Sequence, residues 1–115
     1  MPTVEATLQT TLGALCSGRC YPLVNNSSTI VYPFVTFQVV AETILTATSD
    51  ARVAKRVQFD IFDRTYSGVK ALSESVRAAV ESITGMASSH IVTFDGYEEA
   101  PKTYRVTSEF YIWPD

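Results

Sequence analysis

Two segments of the chain carry apolar residues at helical spacing. In residues 3–16 these positions recur at intervals of four, four and three: Val4, Leu8, Leu12 and Leu15. From about residue 66 to 84 a clearer set keeps a three-four spacing: Val69, Leu72, Val76, Val80 and Ile83. Gly18 and Gly85 follow the two segments, where glycine commonly ends a helix. The pattern therefore predicts two amphipathic helices.

Four other segments have strand patterns. Residues 34–40 are rich in β-branched and aromatic side chains, residues 53–62 and 103–113 alternate apolar with polar, and a shorter strand is predicted at 90–94. The first two strands flank a polar turn at 48–51, which predicts a long hairpin whose tip, about residues 43–54, projects beyond the core. Residues 19–33 contain Pro22, Pro33 and a run of Asn and Ser, and are predicted to be irregular.

The order helix, hairpin, helix, hairpin predicts an α+β fold. We expect an antiparallel sheet of about four strands, with two helices packed on one face. The length of 115 residues fits a single domain, residues 1–115. The residues predicted to fill the core are Leu8, Leu12, Phe59, Ile61, Leu72, Val76, Val80, Val106 and Phe110.

Composition and charge narrow the possible functions. Apolar residues make up 46% of the chain and charged residues 18%, as in an ordered globular protein. The net charge of −3 argues against a protein that wraps nucleic acid, because phosphate neutralisation requires a basic surplus. No apolar run approaches the roughly 18 residues of a membrane span. No basic region followed by an apolar stretch marks a signal peptide at the N-terminus, so we expect folding in the cytosol.

The residues that could support catalysis or bind a metal are few. His90 is the only histidine, and neither a Gly-x-Ser-x-Gly motif nor a Gly-rich phosphate loop is present. Asp60 and Asp63 have an odd spacing that places them on opposite strand faces, with Asp63 ending the strand. Cys16 and Cys20 lack a second ligand pair and are interpreted as reduced, partly buried thiols. We therefore predict no enzymatic activity, no metal and no cofactor.

A charged group on the first hairpin is the main candidate for an interface. Arg52, Lys55 and Arg56 form the only basic cluster; Arg52 and Arg56 share a strand face and Lys55 points away. These charges either protect a sheet edge from aberrant pairing or form ion pairs with an acidic neighbour. Glu98 and Glu99, in a predicted second hairpin turn with Gly96 and Pro101, are either solvated or part of an interface. The candidate interface residues are Glu42, Asp50, Arg52, Lys55, Arg56, Glu98 and Glu99.

Three segments together resemble a known family. They are Gly18–Leu23 after the first helix, Tyr32–Phe37 at the start of the first hairpin, and Arg56–Tyr66 running into the second helix. In this order the chain resembles the tail terminator, or tail completion, family of siphophages and related particles, over nearly its whole length.

The resemblance implies a structural role in a virion. Such proteins form a ring, usually hexameric, that caps the last ring of the tail tube, stops tube polymerisation and joins the tail to the connector of a DNA-filled head. The implied partners are copies of itself, the tail tube protein and a head–tail connector or stopper protein, with DNA passing through the lumen without sequence-specific binding. The implied location is the tail or neck of the particle, and the family has no catalytic residues to transfer.

Two alternatives stay open at this level. One is another neck component, a head–tail connector or adaptor. The other is a soluble α+β module, dimeric through its sheet, that binds a small ligand or peptide on the helix-free face. A ring-forming protein should place polar and aromatic side chains far from the core, whereas a ligand-binding module should have a concave apolar pocket.

Overall fold

The computed structural model describes residues 3–25, 29–47, 50–99 and 102–114, with side chains over 3–25, 29–43, 53–99 and 102–113. The described residues form one sheet in the order β1-β2-β3-β5-β4. Both helices pack on one of its faces, so the predicted α+β class is confirmed. The elements are α1 (Val4–Gly13), β1 (Cys20–Pro22), β2 (Phe34–Ala47), β3 (Asp50–Asp63), α2 (Tyr66–Glu81), β4 (Met86–Glu98) and β5 (Thr103–Pro114).

Helix α1 is shorter than its apolar pattern predicts. The Thr3 hydroxyl accepts a hydrogen bond from the Ala6 amide at 3.0 Å and caps the first turn. The helix ends at Gly13, and the chain then turns through Gly18, whose φ of 83° favours glycine. Leu15, assigned to the buried helical face, lies beyond this end and is 38% exposed.

Helix α2 begins where the sequence predicts and ends three residues earlier. Its first turn is capped by the Thr65 hydroxyl, which accepts from the Gly68 amide at 3.1 Å. After Glu81, the Ser82 amide donates to the Ala79 carbonyl at 3.2 Å, a tighter i to i−3 bond that ends the α-helix. Ser82, Ile83 and Thr84 therefore lie outside the helix.

Strand β1 is absent from the sequence prediction, which assigned residues 19–33 to irregular structure. Its three residues pair in parallel with β2, from Cys20 opposite Val35 to Pro22 opposite Phe37. The sheet is consequently mixed and has five strands among the described residues. Pro22 is tolerated because it ends a short edge strand, where its missing N–H removes no bond from a sheet interior.

Both hairpins are longer than predicted. Strands β4 and β5 pair from Met86 opposite Pro114 to Glu98 opposite Thr103. Gly96, predicted in the turn, instead lies within β4 opposite Arg105. A Cβ atom at this position would lie 3.2 Å from Arg105 Nε, so the glycine leaves room for that side chain.

The core lies between the two helices and one sheet face. All predicted core residues are buried except Leu72, which packs partly buried against the cluster. The buried positions of α2 are Val69, Ser73, Val76 and Val80. The buried face of α2 therefore includes Ser73, and Leu72 lies at the edge of this face.

The molecule is elongated because the first hairpin extends past its neighbours. Strands β2 and β3 pair to Ala47 opposite Asp50, but β3 pairs with β5 only as far as Lys55 opposite Ile112. The extents are 50 × 26 × 21 Å and the radius of gyration is 14.6 Å, against about 13 Å for a compact chain of this length. The predicted projecting hairpin is confirmed.

Candidate assembly interfaces

The projecting part of the first hairpin, residues 43–47 of β2 and 50–54 of β3, is called the arm here. At about 3.3 Å per residue its five residue pairs extend roughly 16 Å. Among the described strands, β2 and β3 pair only with each other over this length. The arm includes Ile44, Leu45, Asp50 and Arg52. It therefore carries apolar and charged residues beyond the end of the core.

Two of the candidate interface residues are used within the chain at the base of the arm. Lys55 Nζ lies 2.8 Å from Glu5 Oε1 on α1 and 3.6 Å from Glu42 Oε1 on β2. The hydrogen bond with Glu5 raises the pKa of Lys55, and the same bond lowers the pKa of Glu5. This charged group therefore fixes α1 to the sheet, and Lys55 faces the helices.

Arg56 points to the opposite, helix-free face, as the strand spacing predicts. Its Nε donates to Glu109 Oε1 on β5 at 2.7 Å. Lys55 and Arg56 lie on β3 between β2 and β5, so their interpretation as charges on a sheet edge is wrong. The backbone of Asp50 and Arg52 belongs to the arm, and their side chains lie outside the described residues.

The other two candidates lie at the opposite end of the molecule. Glu98 ends β4, and its Oε1 accepts from Arg105 Nη1 at 3.4 Å. Glu99 follows the strand and is exposed. The candidate residues therefore divide into one group on or near the arm and a second group near the far end of the sheet.

A cleft occupies the helix-free face at this far end and is called the distal cleft here. Its volume is about 300 Å³. Its apolar lining residues are Leu23, Val24, Ile30, Tyr32, Phe34 and Phe62, and its acidic lining residues are Asp60 and Glu98.

Aromatic contacts fix the floor of the distal cleft. The Phe34 and Phe62 rings stack with centroids 4.7 Å apart, and the Tyr32 ring lies 5.5 Å from Phe34. The Tyr32 hydroxyl lies 3.0 Å from Thr103 Oγ1, and the Arg64 guanidinium covers the Tyr32 ring at 4.9 Å. These contacts attach the segment before β2 to the sheet and hold the lining residues of the cleft in fixed positions.

Asp60 contributes a carboxylate to the cleft without a cation beside it in the described structure. Its Oδ1 accepts from the Thr107 hydroxyl at 2.7 Å and its Oδ2 from Gln58 Nε2 at 3.0 Å. These neutral donors orient the carboxylate and leave its charge uncompensated. Asp63 ends β3, as predicted from the sequence.

A second concavity, the base cleft, lies where the arm leaves the sheet. It has a volume of about 340 Å³ and is lined by Thr43, Ala54, Ser89, Tyr111 and Trp113. The helix-free face therefore has one cleft beside the arm and one at the far end.

Strand β4 forms one edge of the sheet and exposes several apolar side chains. Val92, Phe94 and Tyr97 are between 37% and 48% exposed. The strand contains no Lys, Arg or Pro, residue types that commonly protect an edge from pairing, although its register shifts between His90 and Val92. Asp95 is engaged by Lys70 Nζ of α2 at 3.0 Å. This edge is a third surface with the character of an interface.

The residues considered for chemistry occupy ordinary structural positions. Cys16 and Cys20 are free and buried, and burial raises the pKa of Cys20 to about 12. His90 Nε2 lies 2.7 Å from Thr93 Oγ1, and its ring packs against Phe110 at 5.1 Å. Within the described ranges, no three His, Cys, Asp or Glu side chains form a group that could hold a metal. Neither described helix has the length and apolar character needed to cross a membrane.

Comparison with known proteins gives a relative in fold only. A chain of the virion of a native gene transfer agent particle superposes with a TM-score of 0.72. The match has 14% sequence identity and covers 96% of this chain and 93% of that chain. No protein-family model and no curated protein matches the sequence. The likeness establishes a shared fold over almost the whole of both chains.

Sequence reasoning missed the distal cleft. Leu23, Val24, Ile30 and Val31 lie in or beside the run interpreted as a polar loop, and all four are well exposed. Their clustering at one end of the sheet depends on how the loop folds back, which no periodic pattern encodes. The available signal was the apolar character of these residues in a segment otherwise made of turn-forming types.

Proposed function

We propose that this chain is a tail terminator. Copies form a ring, hexameric as in the family that the sequence resembles, which caps the tail tube and stops its polymerisation. The ring then joins the tail to the head connector or stopper protein. The protein acts in the tail or neck of the particle, after assembly in the host cytoplasm, and has no catalytic role.

The observation that carries this proposal is the shared fold with a chain of a gene transfer agent virion. The likeness extends over 96% of this chain. It agrees with the independent resemblance of three ordered sequence segments to tail terminators. A role in assembling a particle accounts for both.

The distribution of surface features supports head-to-tail assembly. The arm projects at one end of the long axis, and the distal cleft lies at the other end of the same two strands. A contact between two unlike surfaces generates a ring when the rotation between neighbours closes. A molecule with different apolar surfaces at its two ends suits such a contact.

The charge also suits a conduit for DNA. The net charge is −3, so the chain has no basic surplus with which to retain the phosphate backbone. A strongly basic lumen would hold DNA through counterion release. We therefore propose that DNA passes through the ring without sequence-specific binding.

Native mass spectrometry and negative-stain electron microscopy of the purified protein test the ring. Tail tube protein from the same particle is then polymerised with and without it. We expect closed rings, and tubes that stop growing and carry a ring at one end. Monomers or dimers that leave tube length unchanged would contradict the proposal. Rings that bind heads but leave tube length unchanged would favour a connector or adaptor.

The distal cleft also fits the ligand-binding alternative. It is concave, partly apolar and located on the helix-free face, where such a module would bind its ligand. The arm has no evident role in a dimeric binding module. Dimers that bind a small ligand or peptide in the distal cleft and never close into rings would support this second function.

A further inference from the structure

We infer that the distal cleft receives the arm of the next copy in the ring. This inference rests on the proposed ring and specifies its contact. Two features at opposite ends of the molecule carry it. The arm contains apolar and charged residues, and the distal cleft is lined by apolar side chains and carboxylates.

The arm and the distal cleft lie at opposite ends of the molecule. Strands β2 and β3 run from the Phe34–Phe62 pair, on the floor of the cleft, to the Ala47–Asp50 pair at the end of the arm. The two features are therefore separated along the long axis of a molecule 50 Å in extent. An arm roughly 16 Å long cannot reach its own distal cleft, so a second copy must supply the occupant.

The distal cleft exposes several apolar side chains. Leu23, Val24 and Ile30 are 68%, 56% and 43% exposed. Leu23 has a φ of 67°, an uncommon conformation for this residue type. Its amide donates to the Phe37 carbonyl at 2.8 Å, which fixes this backbone beside the sheet edge. Together these exposed side chains form an apolar patch at one end of the sheet, of the kind that marks an interaction surface.

The carboxylates of the cleft and Arg52 of the arm differ in the sign of their charge. Asp60 and Glu98 line the cleft. Glu98 is paired with Arg105 at 3.4 Å, whereas Asp60 has only neutral donors among its described partners. In the arm, Leu45 and Arg52 are register partners. One cross-strand pair of the arm therefore combines an apolar residue with a cation. The cleft presents the complementary combination of apolar side chains and carboxylates.

The base cleft would give a different assembly. It lies beside the arm of its own copy, so two copies that exchanged arms there would form a reciprocal pair. A reciprocal pair closes on itself after two subunits and leaves no surface for a ring. The distal cleft is the acceptor that permits the assembly to continue.

Complementation between two variants tests the inference. Leu45→Asp alters the arm, and Leu23→Asp alters the cleft; Asp is also better tolerated than Leu at positive φ. Ala71→Asp, at an exposed position of α2, is the matched control. Each interface variant should raise the concentration for half-assembly at least about tenfold, whereas the control should not. Circular dichroism should show all three folded like the parent.

The decisive measurement mixes the two interface variants. Leu45→Asp retains a normal cleft and Leu23→Asp a normal arm, so each mixed pair can form one normal contact and no more. We expect a one-to-one complex by native mass spectrometry and no rings. A mixture that stays monomeric, or rings that survive either substitution, would overturn the arm-in-cleft contact and leave the proposed ring intact. A parent protein that stays monomeric and leaves tube length unchanged would overturn both.

Discussion

Phe59 and Phe110 occupy the centre of the core. Both are fully buried, and their ring centroids lie 5.8 Å apart in an edge-to-face arrangement. Leu72, expected from the spacing of α2 to be equally buried, packs only partly against the same cluster. The two phenylalanines should therefore contribute more to the free energy of unfolding than Leu72 does.

Truncation of the fully buried Phe59 and of the partly buried Leu72 should have different effects on stability. Phe59→Ala should lower the free energy of unfolding by about 3–5 kcal/mol, because it removes a large buried side chain and leaves a cavity. Leu72→Ala should cost less than about 2 kcal/mol, the lower limit for buried leucines. Urea unfolding checks this at protein concentrations too low for assembly, since assembly would itself stabilise the fold. Phe94→Ala, on the exposed edge of β4, is the control and should change stability by less than about 0.5 kcal/mol.

At the scale of elements, α1 is fixed to the sheet by its buried side chains and by the Glu5–Lys55 ion pair. Leu8 and Leu12 are fully buried, which secures the helix in the core. The ion pair spans 50 residues of sequence and joins the first turn of α1 to β3 at 2.8 Å. Because Lys55 also lies 3.6 Å from Glu42, the pair fixes the helix beside the base of the arm.

The contribution of this pair should depend on pH. The bond with Lys55 lowers the pKa of Glu5 in the folded state, so its stabilisation is present above the ordinary Glu range and is lost as pH falls through the lowered value. A double-mutant cycle with Glu5→Gln and Lys55→Met should give a coupling of about 0.2–1 kcal/mol at pH 7. The coupling should approach zero near pH 2. A value unchanged by acid would show that the contact is not an ion pair. The exposed Arg77–Glu81 pair on α2, 3.6 Å apart, is the comparison and should couple more weakly.

The elements differ in how well the sequence predicts them, for physical reasons. Helix α2 was predicted to within three residues because its apolar stripe and the Gly85 that follows it are local signals. Strand β1 was missed because a three-residue edge strand forms only by pairing with β2, and pairing partners are not encoded locally. The arm was predicted because the polar turn at 48–51 lies well beyond the end of the first strand pattern at residue 40. The distal cleft was not, since it depends on how the loop before β2 folds over the sheet.

At the scale of the whole molecule, the candidate charges have two separate roles. Glu42, Lys55 and Arg56 form ion pairs within the chain, so they hold the base of the arm in place. Asp50 and Arg52 belong to the arm itself, beyond the last β3–β5 pair. A contact between copies should therefore depend on the second group more than on the first.

Charge reversal at the two arginines separates these roles. Arg52→Glu should prevent ring formation or tube capping while leaving the monomer folded, because it removes the cation of the arm and brings a carboxylate toward the acidic cleft of the next copy. Arg56→Glu should instead destabilise the monomer, because it places a carboxylate beside Glu109, where the arginine now donates at 2.7 Å. An exposed pair is worth only about 0–1 kcal/mol, but the loss recurs at every contact around a ring. Electron microscopy of tails assembled with each variant, with circular dichroism and urea unfolding of the free proteins, distinguishes the two outcomes. Capped tails of normal length from Arg52→Glu would exclude this charge from the contact and direct attention to the exposed edge of β4.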